Sequence, residues 1–325
     1  SVPSSRSNAS ASPGGGWLQA DLGAPGDADA FERLLGTLPP GTDARAVEAE
    51  AQTWRLPVVA YRRRPPCPAP AARARAEHAP PALAPADPPA PLAGVEVVDL
   101  TAVWAGPLAT WLLAALGARV TKVESAVRPD GMRGRPAVFA ALDAGKEHVA
   151  LDLRRPDDHA ELVERIGASR VLVDSFSPRV MPNLGLTPAD LGPAADGLVT
   201  ASITAFEPGT AEHRWVAYGT GAHAHCGLGD LGTGAFAAPV LSYPDPLAGL
   251  AAAAGVLAAL AGPGASRVTA SLAGAAAPLA AADGAGRLVA APGEAVAGLR
   301  ARLAERGWLD DRGFPRPPFV LGGAS

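Results

Sequence analysis

Between Gly94 and Thr204 the sequence alternates short apolar runs with helical patterns, and this alternation limits the fold more than any other feature. Apolar runs of about four to eight residues bounded by turn signals are typical of strands buried in a sheet. The runs are Val95–Leu100, Arg119–Glu124, Val149–Leu153, Arg170–Asp174 and Leu198–Thr204. We predict an α/β domain with a doubly wound, Rossmann-like parallel sheet, because parallel strands need such helical crossovers.

The first strand–helix–strand unit has the outline of a dinucleotide site. Pro107 begins its helix, Gly117 stands where a left-handed cap is expected, and Glu124 closes the second strand. The turn before the helix reads Trp-Ala-Gly-Pro and lacks the G-x-G-x-x-G pattern that cradles a diphosphate. We therefore predict that this βαβ unit has a structural role and does not bind a dinucleotide. The N-terminus of its helix can still accept another phosphate or a carboxylate.

Changes in composition divide the rest of the chain. Residues 1–16 look like an expression tag and receive no structural weight, and residues 17–61 predict two helices and a strand. Ten prolines in residues 62–93 predict an extended linker. Residues 94–204 form the Rossmann-like domain, and residues 205–325 are expected to form a Gly-rich loop, an apolar helix and a smaller second domain.

Charge and cysteine content exclude several classes of protein. The net charge of −4 argues against a nucleic-acid binder, which usually has a strong basic excess. The longest apolar helix, Pro246–Ala261, is too short for a membrane span. Cys67 and Cys226, the only cysteines, cannot build a disulfide framework or a cysteine zinc site. So few cysteines fit a reducing cytoplasm and no leader segment is recognisable, so we expect a cytoplasmic protein. We also expect no metal.

Several blocks of residues occur in a familiar order. They are Gly94–Thr101, Ala105–Thr110 and Leu116–Glu124, then Ala144–Lys146 with Val149–Leu153, then Val171–Pro178 with Leu184–Leu186, and finally Tyr243–Gly249 and Ser266–Leu272. Together they resemble the class III CoA-transferases, the CaiB/BaiF family, over roughly residues 94–275. That family includes formyl-CoA transferase, carnitine CoA-transferase and alpha-methylacyl-CoA racemase.

The resemblance implies the class III CoA-transferase fold, an interlocked homodimer, and CoA or an acyl-CoA thioester with a carboxylic acid as ligands. It places CoA near Val103, Ala105, Gly106, Arg133, Lys146, Ser175, Phe176 and Arg179. Lys146 and Arg133 are the expected phosphate partners, because phosphates bind cations and N–H donors. The family often has arginine where Ser177 stands, and Arg179 is the expected substitute.

The sequence departs from the family pattern at the catalytic nucleophile. The family's catalytic aspartate attacks the acyl-CoA carbonyl and forms a mixed anhydride, but the matching position here is Gly219. From His213 to Gly229 the sequence has no carboxylate. Covalent catalysis therefore needs a carboxylate from elsewhere, and Asp245 and Asp230 are the candidates.

The same segment offers His223 and His225 beside Cys226. Histidine is the natural general base near neutral pH, and in a strand-like loop the two imidazoles would share one face. His-x-His also suits a metal, but no third ligand can be named. The alternative is a loop of small residues that packs on the helix Pro246–Ala261, with Cys226 as a buried small residue.

Three functions follow from these residues. The first is transfer of CoA between carboxylic acids, or related acyl-CoA chemistry. The second is a catalytically degenerate CoA-binding homologue, and the third is an acyl-CoA racemase or isomerase that uses His223 or His225.

The N-terminal segment has a separate resemblance. Its run Ala51–Val59 resembles a segment found late in the family, so residues 17–61 indicate a permutation or a fused ancestor, unless the similarity is chance.

Overall fold

A computed structural model describes residues 7–11, 15–63, 90–230, 236–239, 241–262 and 266–280. Most of the predicted linker, with Cys67, and the chain beyond residue 280 lie outside the described residues. The boundaries predicted for the linker and for a second domain therefore stay predictions.

The described residues form nine strands and ten α-helices. The strands are β1 (Ser7–Ala11), β2 (Trp17–Asp21), β3 (Val58–Ala60), β4 (Glu96–Leu100), β5 (Arg119–Ser125), β6 (Glu147–Leu151), β7 (Val171–Asp174), β8 (Val199–Thr204) and β9 (Ser266–Ser271). The helices are α1 (Asp27–Thr37), α2 (Ala44–Thr53), α3 (Ala105–Ala115), α4 (Pro136–Leu142), α5 (Pro156–Gly167), α6 (Val180–Asn183), α7 (Pro188–Leu191), α8 (Gly219–His225), α9 (Pro244–Leu260) and α10 (Leu272–Ala280). None of the helices in the described part of the chain could cross a membrane.

Six strands form one parallel sheet in the order β6-β5-β4-β7-β8-β9. This confirms the doubly wound α/β sheet predicted from the alternating pattern. The chain leaves β4 towards β5 and β6, then returns to β7 on the other side of β4. Strand order reverses between β4 and β7, and ligands of such sheets bind outside the carboxyl ends of the strands at this point.

Apolar side chains cover both faces of the sheet. On one face Val97 and Val171 pack with Leu113 of α3 and Val256 of α9. On the other face Val98, Leu100 and Leu172 pack with Leu162 and Ile166 of α5. Burial on both faces explains why these strands read as continuous apolar runs instead of alternating ones.

The N-terminal segment, residues 7–11 and 15–63, has a core of its own. β2 pairs with β1 and β3 in an antiparallel sheet, and α1 and α2 contribute Leu34 and Val47 to a cluster with Leu18 and Val58. The two helices and the strand β3 match the prediction. β2 was not predicted because Gln19 and Asp21 interrupt its apolar pattern, yet both are buried.

Candidate active site

The turn from β4 into α3 lies at the point where strand order reverses. Val103 has a positive φ of 72°, which is strained for a β-branched residue. Its N–H donates to Oδ1 of Asp130 at 3.0 Å, and the N–H of Ala102 donates to Oγ of Ser175 at 3.0 Å. Side chains from the segments that follow β5 and β7 therefore hold this turn in one conformation.

Ala105, Gly106 and Phe176 were predicted to contact CoA, and all three take part in packing. A Cβ on Gly106 would lie 2.5 Å from Cγ2 of Thr101, so α3 approaches β4 too closely for a side chain there. Ala105 is buried, and Phe176 packs partly buried in the cluster beneath α5. Their contact with CoA stays a prediction.

Lys146 lies inside the protein, not at its surface. Its side chain is 0% exposed, and its ammonium donates to Oδ2 of Asp99 (3.1 Å), Oδ1 of Asp143 (2.9 Å) and the carbonyl of Pro107 (3.1 Å). An ammonium has three N–H donors, so a phosphate would have to displace one of these acceptors. The geometry favours a role in positioning α3, and phosphate binding by Lys146 stays a prediction.

Lys122, the only other lysine, belongs to the same buried network. It donates to Oδ2 of Asp130 and to the carbonyl of Thr101, both at 3.0 Å. Burial opposes ionisation of Asp99, but the charges of Lys146 and Lys122 hold the pKa of Asp99 below its usual value. Sequence reasoning did not place Lys122 in the site; the scarcity of lysine was the only signal.

Arg133 is the predicted phosphate partner that remains partly open to solvent. Its Nε donates to Oε1 of Glu124 at 3.0 Å, its Nη2 donates to Oε2 of the same residue, and its guanidinium lies 4.3 Å from the centre of the Phe139 ring. Burial would raise the pKa of Glu124, but hydrogen bonds from Arg133 outweigh it and lower the pKa to about 2. A free edge of the guanidinium remains for a ligand, since the side chain is 48% exposed.

A basic cavity opens beside the turn that follows β7. It has a volume of about 370 Å³ and is lined by Pro178, Arg179, Pro182, Asn183, His213 and Arg214. The structure thus brings the predicted residue Arg179 together with Arg214 and His213, which were not predicted. Arg55 of the N-terminal segment reaches the same turn, where its Nη2 donates to Oγ of Ser177 at 3.3 Å.

The segment around His223 is helical and not strand-like, so the condition under which both imidazoles would share one face is not met. In a helix, side chains two positions apart are rotated by about 200° about the helix axis, so they lie on different faces. Burial lowers the pKa of both histidines to about 4, and for His225 the charge of Arg62 adds to this. Neither Nδ1 has a hydrogen-bond partner among the described residues, and the ring of His225 lies 4.7 Å from that of Phe206. Because the pKa of each imidazole is well below 7, both are neutral near pH 7.

The space beside Gly219 is occupied by Asp245. A Cβ on Gly219 would lie 2.8 Å from Cγ of Asp245, and it would overlap Oδ2 of Asp245 and Oγ of Ser242. The φ of Gly219 is not positive, so space and not backbone strain requires glycine. Asp245 accepts a hydrogen bond from Ser242, and burial, with a smaller contribution from the charge of Asp21, raises its pKa to about 6. Asp230 instead pairs with Arg63 at 3.1 Å.

Comparison with known proteins identifies the family. Residues 92–304 match the model of CoA-transferase family III. The chain belongs to this family. The match confirms the resemblance to the CaiB/BaiF proteins. It begins after the N-terminal segment, so a permuted or fused origin of that segment stays a prediction.

Curated relatives carry CoA-transferase names. The chain is 34% identical over 152 residues to acetyl-CoA:oxalate CoA-transferase of Acetobacter aceti, a match covering 44% of this chain and 39% of the relative. It is 36% identical over 129 residues to formyl-CoA:oxalate CoA-transferase of Rhodopseudomonas palustris (strain TIE-1), covering 37% of this chain and 30% of the relative. The matched part is therefore less than half the length of either enzyme.

Solved structures share the fold. A hypothetical protein from Mycobacterium tuberculosis superposes with a TM-score of 0.55 at 28% identity, over 58% of this chain and 57% of that one. A CaiB/BaiF family protein from Brucella suis gives a TM-score of 0.54 at 24% identity, over 57% of this chain and 54% of that one. These likenesses show the class III CoA-transferase fold.

Proposed function

We propose that this protein binds CoA or an acyl-CoA thioester at the carboxyl edge of the sheet and transfers CoA between carboxylic acids, or performs related acyl-CoA chemistry. The observation that carries the proposal is the basic cavity of Arg179, Arg214 and His213 beside the turn after β7. Guanidinium groups bind phosphate oxygens through paired, charge-assisted hydrogen bonds. Family membership supports CoA as the source of those phosphates.

Small carboxylic acids are the proposed acceptors. The curated relatives are named for transfer of CoA from acetyl-CoA or formyl-CoA to oxalate. In the family mechanism a carboxylate attacks the thioester carbonyl, the CoA thiolate leaves, and CoA is passed on through an anhydride. Position 219 cannot supply this carboxylate, because glycine has no side chain.

A CoA-binding protein without turnover is the second candidate, and Gly219 favours it. A racemase or isomerase would need His223 or His225 to exchange a proton with substrate. His223 is buried and His225 is partly buried, and the pKa of each is lowered to about 4, which makes them weak bases.

We also propose that the protein forms the homodimer that the resemblance implies. Light scattering that shows a monomer at micromolar concentration would contradict this proposal.

Calorimetric titration with CoA tests the proposal. We expect the wild type to bind and Arg179→Ala to bind about tenfold or more weakly, because a charge-assisted hydrogen bond is worth about 1.5–3 kcal/mol. Arg119→Ala is the matched control, since Arg119 is an exposed arginine that begins β5 at the opposite edge of the sheet. A wild type that does not bind CoA contradicts the proposal.

Turnover separates the candidates. Acetyl-CoA is mixed with oxalate and the wild type, and CoA thioesters are followed by chromatography. Formation of a new thioester supports the transferase. Bound CoA without any new thioester, and without deuterium exchange at the acyl α-carbon, supports the binding protein.

A further inference from the structure

Two buried carboxyl groups flank the first two residues of α8. Asp245, in the first turn of α9, accepts a hydrogen bond from Ser242 beside Gly219. Asp21, the last residue of β2, accepts a hydrogen bond from Oγ1 of Thr220 at 2.6 Å. The two carboxyl groups come from segments more than two hundred residues apart in the chain. Each lies beside one of two neighbouring residues at the position where the family's nucleophile is missing.

Asp245 fills the space that a side chain at position 219 would need. Its Oδ2 lies within overlap distance of an ideal Cβ on Gly219. A carboxylate oxygen is therefore present where the side chain of an aspartate at position 219 would begin. Glycine at this position is the residue that leaves room for it.

Asp21 is the charged neighbour that acts on Asp245. The helices α3 and α10 and the strand β8, which pack against α9, have no titratable side chain. β9 contributes Arg267, whose charge acts on Asp174, and α8 contributes the neutral His223 and His225. The charge of Asp21 disfavours ionisation of Asp245, in the same direction as burial does.

The N-terminal segment holds Asp21 in place. Nε2 of Gln19 donates to Oδ1 of Asp21 at 3.1 Å, and the hydroxyl of Tyr61 donates to Oε1 of Gln19 at 2.9 Å. Burial, and then the charge of Asp21, raises the pKa of Tyr61, so this hydroxyl keeps its proton and remains a donor. The chain Tyr61–Gln19–Asp21–Thr220 thus links β2 and β3 to α8.

We propose that Asp245 is the acyl-accepting carboxylate of this protein and that Asp21 is a positioning residue that controls its protonation. The proposal rests on the proposed function. An oxygen of Asp245 attacks the thioester carbonyl, the carbon–sulfur bond breaks, and CoA leaves as the thiolate while a mixed anhydride forms. No oxidation or reduction takes place. The N-terminal segment, which lies outside the family match, then becomes part of the active site.

Trapping with hydroxylamine tests the role of Asp245. The wild type is saturated with acetyl-CoA, with binding measured by calorimetry, then treated with hydroxylamine and mapped by mass spectrometry. We expect an aspartyl hydroxamate at Asp245, its loss in Asp245→Asn, and no change in Asp157→Asn, an exposed aspartate of α5. Circular dichroism verifies that each variant folds. A hydroxamate on another residue, or none while acetyl-CoA is bound, overturns the proposal.

The pH dependence of trapping tests the role of Asp21. We expect the midpoint of hydroxamate yield to fall in Asp21→Asn, because a neighbouring negative charge is removed. It should rise in Ser242→Ala, because a donor to the ionised carboxylate is lost. A merely structural role would change the yield without moving the midpoint. Equal midpoints in all three proteins overturn the assignment of Asp21.

A substrate-free measurement separates this inference from the proposed function. The titration of Asp245 is followed by NMR in protein with ¹³C-labelled aspartate, using Asp245→Asn to identify its signal. We expect its midpoint to fall in Asp21→Asn whether or not CoA binds. Failure to bind acetyl-CoA contradicts the proposed function and the acyl-accepting role of Asp245. An unchanged NMR midpoint contradicts the coupling alone.

Discussion

An aspartate at position 219 should destabilise the protein even though the family has one there. The new Cβ would lie 2.8 Å from Cγ of Asp245, so Asp245 and Ser242 must both rotate away. Their buried hydrogen bond is then broken, and leaving a buried polar group unpaired costs about 1–3 kcal/mol. A second carboxylate about 4 Å away adds up to about 4 kcal/mol at an effective dielectric constant of about 20, unless one group is protonated.

We therefore expect Gly219→Asp to lose about 2–4 kcal/mol of unfolding free energy at pH 7, and less at pH 5, where the pair retains a proton. Urea denaturation followed by circular dichroism measures this. Gly219→Ala is the control that adds the Cβ without charge, and it should lose less.

A double variant identifies the cause. In Gly219→Asp combined with Asp245→Ala the clash with Asp245 and the repulsion from it are both absent, and only Ser242 has to rotate away, so the two losses should not add. Our reasoning is refuted if Gly219→Asp is as stable as the wild type, or if the double variant shows the simple sum of the two single losses.

Three further results are expected from the buried charges. Lys146→Met should cost about 3–5 kcal/mol of unfolding free energy, because it removes one of the two buried ammonium groups that balance Asp99 and Asp143, whereas Arg179→Ala should leave the urea midpoint unchanged while weakening CoA binding. Burial raises the pKa of Asp174 to about 6 from 3.8, so the folded state binds an extra proton and the contribution of this group to stability is lost as pH rises from about 4 to 6; between these two pH values the unfolding free energy of Asp174→Asn should gain about 2–3 kcal/mol relative to the wild type in urea titrations. The lowered pKa of His223 and His225 acts in the opposite direction, because the unfolded state takes up the protons first; the contribution of these two groups to stability is lost as pH drops from 6.5 to about 4, and His225→Phe should lose less stability than the wild type over that range in thermal melts.

The parallel sheet could be predicted because its strands are buried on both faces and so leave continuous apolar runs. The strands β4, β5 and β7 therefore appear in the sequence with nearly correct bounds. β2 could not be predicted in this way. Its buried polar residues Gln19 and Asp21 accept hydrogen bonds from Tyr61 and Thr220. These partners are too distant in the chain for a local sequence pattern to predict them.

The candidate site was predictable only in part. The resemblance located the strand ends and Arg179, and the absence of a carboxylate near Gly219 directed attention to Asp245. The resemblance could not show that Lys146 is buried and paired with Asp99, because Asp99 lies 47 residues away from it in the chain. Nor could it show that α8 is helical, since its glycine, alanine and histidine residues leave no apolar period.

The pairing of Gln52 with Val216 bears on the order in which the protein folds. The side-chain amide of Gln52 donates to the carbonyl of Val216 at 3.1 Å and accepts from its N–H at 2.7 Å, across 164 residues of chain. Closing a flexible loop of that length costs about 4–5 kcal/mol of chain entropy. Because this entropy must be spent before so distant a contact can form, we expect the segment that carries Gly219 to be completed late in folding, and its amide hydrogens to exchange before those of the parallel sheet.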